Sequence, residues 1–432
     1  MKKMLSALAL SSAMLVSSTA IWADPVTTAK VDTGDTAWVL VSTALVLLMT
    51  IPGLALFYGG MVRKKNVLST MMFSLSAAIL VSLLWVIAGY SIAFSGTGAY
   101  FGDLSKAMLH GVAFDALSGT IPESLFVIFQ MTFAIITVAI FSGSIADRMK
   151  YSAFMLFIAV WVLLVYAPIT HWVWATDGWL AKAGALDFAG GTVVHINSGV
   201  AGLVAAYMLG KRMGLGRESL APHNLTLTVI GASLLWVGWF GFNGGSALGA
   251  GTRASMAILV TQVAAAAAAF AWLIVERVIR GKASVLGGAS GAVAGLVVIT
   301  PAAGFVGVDG ALIMGLIGGV VCFWGTTSLK RFLKVDDSLD AFGLHAIGGI
   351  VGAVLTGVFY SNEIIKAANV SLAPTVAAQL WVQVEGVIAT VVYSAAMTFV
   401  ILKVVDLVIG IRVSAEDERM GLDLSQHGER IE

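Results

Sequence analysis

The sequence predicts an all-α polytopic membrane protein with eleven transmembrane helices. Spans 1–5 and 6–10 form an inverted five-helix repeat, and a final helix lies outside it. Three observations carry this reading. Of 432 residues, 59% are hydrophobic and 11% charged, with mean hydropathy +0.94; soluble domains average roughly 45–50% apolar and about 25% charged. Eleven apolar stretches approach the ~20 residues that a helix needs to cross a bilayer core. Lysine and arginine gather in alternate connections, as membrane insertion favours. A net charge of +1 offers no basic surface for nucleic acid. The one cysteine, Cys322, can form neither an internal disulfide nor a thiolate metal centre from this chain alone.

Residues 1–23 read as a signal peptide. Lys2 and Lys3 precede an apolar run from Met4 to Val16, and small residues follow, with cleavage expected after Ala23 or Ala20. A short first membrane helix is the competing reading. The membrane domain is expected over 24–411, with spans near 36–58, 67–95, 121–145, 151–173, 190–209, 224–243, 254–275, 284–300, 310–329, 341–360 and 377–409. The first, third, fifth, seventh and ninth connections hold fourteen Lys and Arg, from Arg63 to Lys334. The opposite side holds five: Lys30, Lys106, Lys182, Arg253 and Lys366. This bias puts the mature N-terminus outside and the tail, 412–432, in the cytoplasm. With Glu416, Asp417, Glu418, Arg419, Asp423, Glu429 and Arg430, the tail reads as solvated.

The repeat shows in two motifs. His195-Ile196-Asn197-Ser198-Gly199-Val200-Ala201-Gly202 and His345-Ala346-Ile347-Gly348-Gly349-Ile350-Val351-Gly352 each place glycine four and seven residues after histidine. Phe57-Tyr58-Gly59-Gly60 closes the first span as Phe242-Asn243-Gly244-Gly245 closes the sixth. Five is odd, so the halves lie in opposite orientations, a common transporter plan. A lone histidine in an apolar helix is ordinarily a satisfied structural residue. Two at matched positions meet at the central interface, where ionisable groups face the protein interior or a pathway. His110, His171, His223 and His427 supply no clear third ligand, so no metal site is expected. The reading is a pair of hydrogen-bonded neutral imidazoles in a narrow apolar pore that rejects ions. Phe129 and Phe133, at i and i+4, share a face of span 3. Trp174 ends span 4; Trp239 and Phe242 lie on span 6, with Ser246 one turn beyond. Such aromatics can hold a cation near an outer mouth, or simply form an interfacial belt.

The stretch Asp187-Phe188-Ala189-Gly190-Gly191-Thr192-Val193-Val194-His195-Ile196-Asn197 resembles the signature of the ammonium transporter (Amt/Mep/Rh) family, nearest the bacterial Amt proteins. Thr50-Ile51-Pro52-Gly53, Gly238-Trp239-Phe240-Gly241-Phe242-Asn243, Val335-Asp336-Asp337 and Phe342-Gly343-Leu344-His345 match as well. The resemblance implies an eleven-helix protomer, a homotrimer in the lipid bilayer of a bacterial inner membrane, and one ammonium/ammonia pore per protomer. It assigns His195 and His345 as pore twin histidines, Phe133 and Phe242 as the gate, and Phe129, Trp174 and Ser246 as the ammonium recruitment site. Asp187 matches a vestibule carboxylate, either a helix cap or a direct cation contact. The tail matches a segment that packs on the cytoplasmic face and supports gating by a PII-type nitrogen-signalling protein. No cofactor, metal or enzymatic activity is implied. Two other classes compete. One is an ammonium sensor signalling through its cytoplasmic tail. The other is a cation-coupled transporter, for which the acidic candidates Asp187 and Asp340 lie near helix ends and Glu385 lies outside the repeat.

Overall fold

In hydrocarbon a backbone can bond only within its own helix or closed sheet, and this chain answers with helices. The computed structural model describes residues 30–431; the expected signal peptide, 1–23, falls outside them. The spans are α1 Thr33–Met61, α2 Lys64–Phe94, α3 Glu123–Ile145, α4 Tyr151–Ala183, α5 Gly191–Leu209, α6 Leu225–Gly245, α7 Thr252–Arg280, α8 Val285–Ile299, α9 Val308–Leu333, α10 Phe342–Phe359 and α11 Val376–Ile409. Ten are long and apolar enough to cross a membrane; α8, with 15 residues, is the shorter eleventh. At ~1.5 Å per residue α8 spans only ~22 Å, and the buried turn 300–306 continues its path. Helix α1 bends at Ile51 (φ −105°, ψ 28°), just before Pro52, where the proline ring excludes regular helix. Helix α4 stops after Trp174 and resumes at Trp179.

The repeat appears in three dimensions as matched contacts. Helices α5 and α10 both open with a π-helical turn carrying the histidine, 191–196 and 342–346, followed by thirteen α-helical residues. A β-carbon on Gly199 would strike Ala346, the residue after His345; one on Gly349 would strike Ile196, the residue after His195. Three residues further on, Gly202 abuts Ser144 of α3, and Gly352 abuts Val298 of α8. Helices three and eight are equivalent under the repeat, so all four glycines obey the same symmetry. Their small size lets the backbones approach, as membrane helix interfaces require.

The basic connections converge on one face. Asp147, buried at φ +75°, accepts from Asn66 and lies 3.7 Å from Arg63 and 3.6 Å from Arg212. Arg212 grips Asp336 at 2.8 Å. Arg148, fully buried, donates to the carbonyls of Gly210 and Asp336. Onto this cluster folds the tail that its composition marked as solvated. Val413 N donates to Arg148 O, Lys150 N to Ile411 O, and Arg412 binds the Leu209 carbonyl at the end of α5. Asp423 accepts from backbone N–H groups near the start of α2, Leu68 (3.0 Å) and Ser69 (2.7 Å). Glu418, Leu422 and Asp423 are buried. Charge in the tail thus serves partners on the membrane domain, which charge density alone could not reveal.

Burial alone would raise the Asp336 carboxyl, but its hydrogen bonds and charge pairing with Arg212 hold it below the ordinary carboxylate range. A depressed carboxylate stabilises above its unfolded pKa, near about 4, and that contribution vanishes as pH falls through the folded value. Asp336→Asn is therefore expected to lower the melting temperature at neutral pH. It should also shrink the loss of stability between neutral pH and about pH 2, as read by fluorescence melting in detergent.

Candidate functional site

A column of rings runs inward from the face opposite the basic cluster. Helix α3 supplies Phe129 and Phe133, whose ring centroids lie 4.9 Å apart. Phe133 stacks on Phe242 of α6 at 4.3 Å with 22° between planes. Trp174, where α4 breaks, meets Phe133 edge to face at 5.8 Å. Both stacked phenylalanines are buried, whereas Trp174 and Ser246 are half-buried. Ser246 spends its hydroxyl proton on the Phe242 carbonyl, 2.8 Å away, and keeps its lone pairs. The phenylalanine stack therefore closes the column, and the three groups expected to recruit a cation border it.

Below the stack the column continues into the histidines. His195 lies 6.0 Å from the Phe242 ring and 5.2 Å from the His345 ring, with the two Nδ1 atoms 3.2 Å apart. Two nitrogens at that distance share one proton: one Nδ1 donates and the other accepts. Nε2 of the donor ring is then an acceptor, and that of the acceptor ring a donor. His195 Nε2 is buried without a hydrogen-bond partner among the described residues. Leu54, Phe57, Ile136, Ile140, Leu235 and Val293 line the narrow apolar space beside His345.

What fixes the histidines is the start of their helices. Asp187 turns both carboxylate oxygens on the α5 N-terminus: Oδ1 accepts from Gly190 (3.0 Å) and Gly191 (2.6 Å), Oδ2 from Thr192 (2.9 Å) and Val193 (3.1 Å). Its backbone carbonyl also accepts from Trp174 Nε1 at 2.8 Å. The geometry is that of a helix cap, with the carboxylate engaged on backbone donors. In α10 the same office falls to Asp337, which accepts from Phe342 N and from the Ser144 hydroxyl, each at 2.8 Å. The motif Val335-Asp336-Asp337 had drawn notice without a role for Asp337. The missed signal is spacing, since each aspartate stands eight residues before its histidine. Trp239, read only as one of the span 6 aromatics, stacks on His195 at 5.4 Å and 22°, held by a hydrogen bond to Thr300 (2.8 Å). Its position one turn before Phe242 puts it on the same helix face.

The remaining candidates lie apart from the column. His171 bonds the carbonyls of Ala93 and Gly98, and His223 that of Val62. His427 packs on Tyr151 in the docked tail. Among the described residues no group of three or more His, Cys, Asp or Glu could hold a metal ion. Asp340 pairs with Lys330 at the basic face.

Asp187→Ala would strand four buried N–H groups, and Asp337→Ala one N–H and one hydroxyl. At roughly 1–3 kcal/mol for a buried group left unpaired, both variants should melt earlier, Asp187→Ala by the larger margin. Parallel thermal melts would test that order.

Comparison with known proteins supplies the context. The sequence model of the Ammonium Transporter Family matches residues 37–431. The chain is 52% identical to the ammonium transporter of Bacillus subtilis over 92% of its own length and 98% of the relative's. It is 47% identical to ammonium transporter Amt1 of Archaeoglobus fulgidus, with the same coverage. Among solved structures, Candida albicans Mep2 superposes with a TM-score of 0.84 at 35% identity, covering 93% of this chain and 90% of that one. A structure named Sensor Amt Protein gives a TM-score of 0.84 at 30% identity, covering 91% and 98%.

Proposed function

The chain belongs to the ammonium transporter family, whose members are transporters and not enzymes, and from that premise we propose a mechanism of ammonium uptake across a bacterial inner membrane. The face opposite the basic cluster is the outer one. Ammonium is recruited there between Phe129, Trp174 and Ser246, where ring faces attract a cation and the serine oxygen accepts a hydrogen bond. It gives up its proton to water on the outer side of the Phe133–Phe242 gate. Ammonia then moves past His195 and His345, meeting one ring nitrogen that donates and one that accepts. Potassium has no proton to shed and would carry its full charge into an apolar passage. The observation that carries this reading is the histidine pair: Nδ1 to Nδ1 at 3.2 Å, sealed under the phenylalanine stack, with His195 Nε2 left open. Family membership further supports a homotrimer, and the docked tail supports control by a PII-type protein at the basic, cytoplasmic face. The second reading, an ammonium sensor signalling through the tail, draws on that docking and on the likeness to the Sensor Amt Protein.

The test is current on a solid-supported membrane after an ammonium pulse, with potassium and methylammonium as comparisons. Ammonium-specific current in the wild type means that net charge crosses, with the proton following its ammonia. Rapid internal alkalinisation without current means passive ammonia conduction. The absence of both responses favours the sensor. His195→Ala or His345→Ala is expected to cut ammonium current roughly tenfold or more, or to admit potassium, with the oligomer intact. Wild-type current and selectivity in both variants would remove the histidines from the mechanism.

A further inference from the structure

The outer-face reading above also bears on a second depression, about 270 Å³ in volume, that shares Trp174 with the ring column. Its walls are Tyr90, Phe94, Phe126 and Trp174, and its charged groups are Glu123, Lys106 and Asp177. Asp177 is taken by Lys182 at 2.8 Å. Glu123 begins α3, the helix that carries Phe129 and Phe133 nearly two and three turns further on. Its carboxylate accepts from the Tyr90 hydroxyl at 2.7 Å and pairs with the Lys106 ammonium. Lys106 Nζ also stands 5.8 Å from the Tyr90 ring centroid. Tyr90, Phe94 and Phe126 pack edge to face and tilted, with centroids 5.0–6.4 Å apart.

A carboxylate beside aromatic faces is the chemistry that holds an ammonium ion, and here it holds one: the alkylammonium of the chain's own lysine. The Lys106 backbone is pinned by its N–H to the Ser91 hydroxyl, 2.9 Å away, while its side chain is 31% exposed. Rotation about side-chain bonds alone can therefore empty the position. We propose that this depression is a second cation site, for ammonium and primary alkylammonium ions, and that Lys106 is its tethered competitor. With the lysine seated, the site is closed to solute. With the lysine swung out, a cation bound on Glu123 and Tyr90 sits one aromatic wall away from the recruitment position and feeds it. The proposal rests on the uptake reading, and its test separates the two.

The measurement is the ammonium concentration dependence of current in the full-length protein. Lys106→Met should lower the half-saturating concentration roughly threefold or more, as expected for a cation–π site freed of its occupant. Adding Glu123→Gln to that variant should erase the gain. n-Butylammonium, at a concentration that leaves the wild type unaffected, should refill the vacated site and restore the wild-type value in Lys106→Met. Lys106→Arg keeps a cation in place and should match the wild type. Lys182→Met removes an equal charge from the same face and should not reproduce the gain; if it does, simple field effects replace the site. Lys106→Gln stands in should the methionine variant assemble poorly. An unchanged half-saturation in a variant with wild-type maximal current overturns the proposal and leaves Lys106 as an ordinary ion pair. Absence of both ammonium current and internal alkalinisation in the wild type overturns the uptake reading instead. Equilibrium binding of n-butylammonium to purified Lys106→Met, with and without Glu123→Gln, then decides the site alone.

Discussion

Two helices of this protein begin inside the molecule, and the first-turn N–H groups of a helix have no partner within it. At a solvated end water would serve; beside a sealed apolar column it cannot. Asp187 meets the need for α5 with four hydrogen bonds, and Asp337 for α10 with a bond to Phe342 N. Much else follows from these caps. Each stands eight residues before a histidine and anchors the turn that carries it, so the caps determine where the imidazoles lie. Each also reaches outward: Asp187 holds the Trp174 indole through its carbonyl, and Asp337 holds Ser144 of α3. Gln383 of α11 adds a brace by bonding both the N–H and the carbonyl of Leu186.

The spans were the most legible part of the sequence because hydropathy over twenty residues integrates a strong, local signal. The histidine pair was legible for a different reason, as the same short pattern recurs at a matched place in each half. The rest depends on contacts that no window can hold. Asp337 and Ser144 are 193 residues apart, and only the symmetry of spacing could have joined Asp337 to Asp187. Trp239 looked like any membrane tryptophan until Thr300 was seen to fix its indole against His195. The tail is the clearest case, since Asp423 and Glu418 look solvated in sequence yet are buried against backbone N–H groups of Ser69 and Met213.

The docked tail and the histidine helix share a physical path. Arg412 takes the Leu209 carbonyl at the C-terminus of α5, where a cation also complements the helix dipole. Arg148 links the same region, through Gly210, to the backbone of Asp336, which directly precedes the α10 cap. Both ends of the paired helices are thereby held: aspartates at their starts, and for α5 an arginine of the tail at its finish. A tail that left this face would leave Leu209 O without that donor and Ser69 N without its carboxylate.

The reciprocal glycine contacts carry an evolutionary consequence. Gly199 faces the residue after the other half's histidine, and Gly349 faces the counterpart in return. A side chain added to either glycine would press on the residue that follows the opposite histidine. If the halves arose by duplication, neither copy could drift at these positions on its own account, because each is judged by its fit to the other. The two copies are thus reciprocally epistatic at the crossing. An ancient duplication would stay readable at the glycines and histidines long after the surrounding sequence had lost the trace.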